Sequence, residues 1–369
     1  MSDQADKPLL TFALIGYNQE RFIREALDGA FSQTYSPLEI ILSDDCSNDR
    51  TFEIMSELAA AYRGPHRVLL NRNASRAGLG GHINRVMELV HGELVVVAAG
   101  DDVSLPERVA VVCKAWKSDG KRATIVHSSF ITIDETGVPL GAPPSPLSPR
   151  LPLPLVVQTS VPSEFLKTLK PNVTGCANAW SPRLFSLFGP LSLNIVYEDK
   201  AIAFRSVMAG RILMVDVPLV KYRKHEENLY YRSRGLNNSI TSIRDEERRL
   251  QNSLEFRAVM YAGFQADLDT ARGKGLLSED EHRCSRREAQ RLREAFELQA
   301  HYLKSGLWTK TVILGRMLRL KANWMAWRAL LRRWMPASFV LITKLGLSRL
   351  RAGAHWLKPR RPAAKTASP

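Results

Sequence analysis

Four short apolar runs alternate with helix-patterned stretches through the first 115 residues, and this alternation constrains the fold more than any other feature of the chain. The runs cover residues 9–15, 38–43, 68–70 and 94–99. They are too short for helices and show no polar alternation, so both faces must be buried, as in a strand of a parallel sheet. Between them, residues 19–32 place Phe22, Ile23, Ala26, Leu27 and Ala30 on one side, and residues 49–62 repeat Ile54, Leu58 and Ala61 at helical spacing. Residues 79–91 form a third such stretch. Parallel strands need crossovers, and these amphipathic stretches supply them, which predicts an α/β sheet with helices on its faces.

The pattern then changes. Residues 123–138 read as a hairpin turning at Asp134–Gly137, and eight prolines between Pro139 and Pro162 predict a long functional loop. Short helices are predicted at 164–170 and 182–188, a longer one at 199–209, and a strand at Ile212–Val217. From about 238 to 304 the pattern is helical, broken near Gly273–Gly275.

Two acidic pairs stand at strand ends, Asp44-Asp45 and Asp101-Asp102. Ligands of open α/β sheets bind outside the carboxyl ends of the strands. Carboxylates there can hold a divalent cation against nucleotide phosphates, or they can merely shape turns and cap helices. No glycine-rich dinucleotide fingerprint or phosphate loop follows the first strand. Gly78 to Gly81 can approach a phosphate or simply make a turn.

Read in order, these residues resemble the family 2 glycosyltransferases. The resemblance rests on Gly16-Tyr17-Asn18, Gln33-Thr34-Tyr35, the stretch from Asp44 to Thr51, Gly100-Asp101-Asp102 with Pro106, Glu198-Asp199, and Tyr222-Arg223-Lys224-His225. Two departures are visible: Ile15-Gly16 stand where the family has proline, and Gly100 replaces the first aspartate of the metal motif. The resemblance implies a GT-A fold over 1–235, with a nucleotide-binding half to residue 115 and an acceptor half beyond it. It also implies an inverting transfer from a nucleotide-diphospho-sugar, UDP by default, to a lipid-linked or cell-surface glycan. By the same resemblance Tyr17, Asn18 and Asp45 line the base pocket. Asp102 binds Mg²⁺ or Mn²⁺, with Asp101 as a ribose or supporting contact, and Asp199 is the general base beside Glu198. Arg223 pairs with phosphate or with Glu198. His225 is a metal or diphosphate contact or a structural histidine, and Trp180 stacks on a sugar or packs in the core. The alternative is a catalytically inactive sugar-nucleotide or glycan-binding subunit, which Gly100 alone supports.

Charge separates the chain into two parts. Of 52 basic and 37 acidic residues, 15 basic and no acidic ones lie between His301 and Pro369, so residues 1–300 are neutral. A neutral body argues against nucleic acid as its partner. Five of seven tryptophans also follow residue 300. On a helical wheel, Ile313, Met317, Leu320, Trp324, Trp327, Leu331 and Trp334 face away from Arg319, Lys321, Arg328, Arg332 and Arg333. That pattern predicts a segment, 305–369, lying on an anionic membrane, following a helical extension over 236–304; packing on the body is the alternative. Four widely spaced cysteines with no C-x-x-C argue against zinc sites or a disulfide framework. Without a signal-peptide pattern or a spanning run, a cytoplasmic enzyme at the inner membrane face is the expectation.

Overall fold

The computed structural model describes residues 7–141, 155–158, 160–226, 228, 243–305 and 307–320. Its centre is a mixed sheet of nine strands. The first four, β1 (Leu10–Gly16), β2 (Leu38–Asp44), β3 (Arg67–Arg72) and β4 (Val95–Ala99), pair in parallel in the spatial order β3-β2-β1-β4. They occupy the four apolar runs, and every residue of β2 is buried. Crossovers are made by α1 (Ile23–Phe31), α2 (Thr51–Ala61) and α3 (Gly78–Leu89). The chain steps outward from β1 to β3 and then returns to the other side of β1, so a crevice opens between the carboxyl ends of β1 and β4.

The second half continues the sheet with β5 (Val103–Ser104), β6 (Ala123–Ile133), β7 (Leu155–Gln158), β8 (Asn178–Trp180) and β9 (Arg211–Arg223). β8 is antiparallel between β4 and β6, and β9 runs parallel to β6. The expected hairpin over 123–138 is instead one strand with register shifts around Ser128 to Phe130. A bulge absorbs the polar Ser128-Ser129 that breaks the apolar pattern. The turn at Asp134–Gly137 does form, with Asp134 N donating to the Val138 carbonyl at 2.8 Å. Most of the proline-rich loop lies outside the described residues.

Helix α4 (Arg108–Ser118) follows β5; α5 (Pro162–Thr168), a 3₁₀ turn at Gly175–Ala177, α6 (Arg183–Phe188) and α7 (Glu198–Ala209) follow β7. The predicted pair of long helices is α8 (Ile243–Gly273) and α9 (Glu279–Lys304), the latter started by a capping box of Ser278 and Glu281. The pair is no appendage. Phe165 of α5, Phe204 of α7 and Phe264 of α8 share one aromatic cluster, with Phe204 and Phe264 centroids 4.4 Å apart. Arg205 of α7 also reaches Asp267 of α8, its Nε 3.1 and 3.0 Å from the two carboxylate oxygens, with both side chains buried. Buried this way, neither charge tolerates loss of the other.

A last helix, α10 (Leu307–Arg319), corrects the membrane reading for the described part of the basic segment. Ile313 and Met317 are 4% and 0% exposed in the same core cluster, and Leu320 packs against it. The start of the expected membrane face is therefore covered by the protein itself; Trp324, Trp327, Leu331 and Trp334 lie outside the described residues. Among the described residues, no helix is long and apolar enough to cross a membrane.

Candidate active site

The carboxyl end of β4 delivers Gly100, Asp101 and Asp102 to the crevice. A Cβ at Gly100 would meet the side-chain ends of Gln19 and Ile23, so a larger residue there needs those two side chains to shift. The two aspartates then part. Asp102 turns inward and is 3% exposed; its Oδ1 accepts from Arg223 N at 2.8 Å, and the Cys176 thiol bonds to its carboxyl group. Burial, and then the neighbouring Asp101 charge, raise the Asp102 carboxyl well above the ordinary range. Asp101 faces the other way. Its Oδ2 accepts from His225 Nε2 at 3.0 Å and from Asn228 Nδ2 at 3.2 Å. His225 leans on the Phe22 ring with centroids 4.7 Å apart, and its buried Nδ1 has no partner among the described residues.

This reverses the expected arrangement of the pair: Asp101, not Asp102, meets His225. Under Asp102 lies Arg108, fully buried, with Nη2 donating to the carbonyls of Val97 and Cys176 at 2.7 and 2.6 Å. Burial pushes its guanidinium down to about 10.

The 3₁₀ turn links this acidic pair to a second one. Cys176 touches Asp102, and one residue earlier a Cβ at Gly175 would run into the Glu198 carboxylate. Glu198 and Asp199 open α7, whose N-cap is Tyr197 and has no side-chain cap bond. Asp199 is therefore not the N-cap. Its Oδ1 accepts from Lys200 N at 2.8 Å, and its Oδ2 stands 3.4 Å from Lys200 Nζ. Lys200 Nζ is held in turn by Asn172 Oδ1 at 2.5 Å. Burial, and then the Asp199 charge, push the Glu198 carboxyl up to about 8. One carboxyl of the pair thus stays protonated at neutral pH beside a neighbour with a cation at hand.

The crevice's other wall is the turn after β1. Asn18 takes a left-handed φ of 52°, its N–H donates to Ser47 Oγ, and its Oδ1 accepts from Asn48 N, both at 2.9 Å. Arg76 lies over the Tyr17 ring, 4.3 Å from its centroid. Asn18 thus meets the loop after β2, and Tyr17 meets the loop after β3. Asp45 does something else. It is 3% exposed; its Oδ1 accepts from Asn73 Nδ2 and Ala77 N at 2.8 Å, and its Oδ2 accepts from Gly78 N at 2.9 Å. It ties the 73–78 loop to β2 and consumes the N–H groups at the start of α3. Gly78 to Gly81 accordingly make a turn and a helix start.

Arg223 also corrects the expectation. Its side chain is 0% exposed, and it pairs neither with Glu198 nor outward. Nη2 meets Glu25 Oε2 at 2.7 Å, Nε donates to the Asp101 carbonyl at 3.0 Å, and Nη1 donates to the Glu135 carbonyl at 2.8 Å. Trp180 is core, 1% exposed, with Nε1 directed at Met87 Sδ. Sequence reasoning missed Arg108, Cys176 and Asn228. Only Asn228, three residues beyond His225, carried any positional signal.

Residues 12–161 match the model described as Glycosyl transferase family 2. This segment, less than half of the chain, is similar to glycosyl transferase family 2. An uncharacterized protein of Mycobacterium tuberculosis is 26% identical over 224 residues, 60% of each chain. The chain thus spans about 60% of the length of the mycobacterial relatives it matches. EpsE of Bacillus subtilis, named as a glycosyltransferase, is 31% identical over 122 residues, 33% of this chain and 43% of that protein. Among solved structures, the mannosyltransferase PcManGT from Pyrobaculum calidifontis, in complex with GDP-Man and Mn2+, is 18% identical with a TM-score of 0.47, covering 89% of this chain and 88% of its own.

Proposed function

We propose that this chain is an inverting glycosyltransferase that moves a sugar from a nucleotide-diphospho-sugar to a hydroxyl of a lipid-linked or cell-surface glycan. The observation that carries the reading is the link, through the Gly175–Ala177 turn, between the β4 aspartates, one of which meets His225, and the Glu198-Asp199 pair. Similarity to glycosyl transferase family 2 over residues 12–161 supports the donor class, with UDP as the default nucleotide.

The base and ribose lie against Tyr17 and Asn18, on a wall that Asp45 holds in place through the 73–78 loop. Asp199 takes the proton of the acceptor hydroxyl while that oxygen bonds to the anomeric carbon. The bond from that carbon to the diphosphate oxygen breaks with the electron pair on the leaving group, so the configuration inverts. Lys200, 3.4 Å from Asp199, favours the ionised base before transfer. Protonated Glu198 keeps a second negative charge out of the pair.

Among the described residues no group of three or more His, Cys, Asp or Glu side chains is placed to hold a metal. A closed protein site is therefore not what these residues build. One carboxylate, Asp101, and one imidazole, His225, do fit a hard cation that completes its shell with substrate phosphates. Bound there, Mg²⁺ or Mn²⁺ would neutralise charge on the leaving diphosphate. The inactive-subunit alternative rests on Gly100 alone.

The test is transfer by a folded Asp199→Asn variant. The expected outcome is a kcat about 10²–10⁴-fold lower with nucleotide binding retained. Transfer at the wild-type rate would sink the assignment of the base.

A further inference from the structure

A second concave site lies away from the crevice. A cavity of about 440 Å³ between α5 and α9 is lined by Ser163 and Lys167 of α5 and by Asp280, Arg283, Cys284, Arg287, Glu288 and Arg291 of α9. Four cations face two carboxylates, and the carboxylates are already engaged. Glu288 holds Arg291 through two bonds, at 2.6 and 2.9 Å. Asp280, 93% exposed, stands 3.6 Å from Arg283. Neither Lys167 nor Arg287 has a carboxylate partner among the described residues. The cleft therefore has a positive field in a concave space, which attracts a multivalent anion.

Two neighbouring features indicate what carries that anion. The approach to α5 is apolar and unusually bare: Val156, Val157 and Val161 are 52%, 43% and 52% exposed. Val161 directly precedes α5, whose Ser163 and Lys167 line the cleft. On the other wall, Arg291 Nη1 donates to the Leu320 carbonyl at 3.2 Å, so the last described residue stands beside the cleft, and the sequence that follows it is basic and contains no Asp or Glu. A soluble phosphate has no use for exposed valines. A phosphate at the polar end of a lipid meets all three features at once.

We propose that the α5–α9 cleft is a docking site for lipid-borne phosphate, which seats the body of the protein on an anionic membrane surface. This moves membrane contact from the apolar face of α10, whose start is buried, to the body itself. It does not depend on which sugar is transferred, or on transfer occurring at all.

Cys284 makes the site directly readable. It is exposed within the cleft, whereas Cys113 and Cys176 are buried and Cys46 is half-buried near the Tyr17 turn. The full chain is mixed with vesicles of phosphatidylcholine alone or with phosphatidylglycerol added, and alkylation of each cysteine by a charged maleimide is timed. The expected result is Cys284 alkylation slowed at least fivefold by the anionic vesicles only, with Cys46 unaffected. In co-flotation, Arg283→Ala with Arg287→Ala lowers vesicle partitioning by about tenfold or more, while Arg67→Ala with Lys114→Ala on exposed positions elsewhere changes it less than about twofold. Vesicle-bound protein whose Cys284 reacts at its free rate overturns the proposal, because the basic segment alone would then hold it. Equal loss in the two double variants overturns it as well. Inorganic pyrophosphate that protects Cys284 while anionic vesicles do not would identify a soluble anion site and equally end the lipid assignment.

Discussion

The aspartate pairs after β2 and β4 are chemically the same and occupy the same kind of position, yet they have different jobs. Around Asp44-Asp45 the oxygens are met by the chain's own donors. Ser47 bonds to Asp44 through both its N–H and its hydroxyl, and Asn73, Ala77 and Gly78 fill Asp45. Around Asp101-Asp102 the inward member meets Arg223 N and the Cys176 thiol, and the outward member meets only side chains, those of His225 and Asn228. The two pairs thus differ in what meets the carboxylate: backbone N–H groups of the adjoining chain hold Asp44, Asp45 and Asp102, and side chains that could move aside hold Asp101. The motif alone does not decide which.

The largest expected effect tests that difference within the second pair. Asp101→Ala should lower kcat/KM about 10²–10³-fold with an unchanged thermal midpoint. Asp102→Asn should stay within about threefold, because burial already holds that carboxyl towards its neutral form and an amide oxygen can still accept from Arg223 N. Steady-state transfer assays on both variants check this, and the opposite ranking would restore Asp102 as the cation ligand. Next in size is the first pair: Asp45→Ala leaves three donors unmet and should cost about 1–3 kcal/mol in chemical denaturation. The smallest effect concerns pH. The Glu198 carboxyl is raised from near 4.5 to about 8, so across that window the folded chain keeps a proton the unfolded chain has lost. Stability is therefore greatest below the lower value and falls as pH rises towards 8. Denaturation midpoints of Glu198→Gln, measured from pH 5 to 8.5, should show a flatter slope than wild type.

Much of the fold was legible because burial on both faces leaves a plain mark: the four apolar runs became β1 to β4 within a residue or two. β5 and β8, two and three residues long, are too short to carry a period, and they exist only because β9 and β4 pair with them. β6 looked like two strands because Ser128 and Ser129 interrupt its apolar run, and a bulge is invisible until its partner is known. At the site, the sequence pointed to residues that the fold brings near one another, and their partners differ from those expected. Asp101 and Asp102 are adjacent and identical, and the choice between them is made by an N–H 121 residues away. Arg223 was expected to pair with phosphate or with Glu198; it pairs with Glu25, far earlier in the chain. The apolar face of α10 is as suited to a protein core as to lipid, and the sequence carries no mark of which is present.

The buried Arg205–Asp267 pair has a consequence for inheritance. The helix that opens with Glu198 and Asp199 carries, less than two turns further on, a cation whose carboxylate partner among the described residues comes from α8. A gene shortened to end near residue 228 would keep Glu198-Asp199 and His225 and still code for an unbalanced protein, with a stranded charge on α7. Helix α7 and the C-terminal extension can be exchanged between relatives only together, so recombination within this lineage is expected to break on either side of the two and not between them.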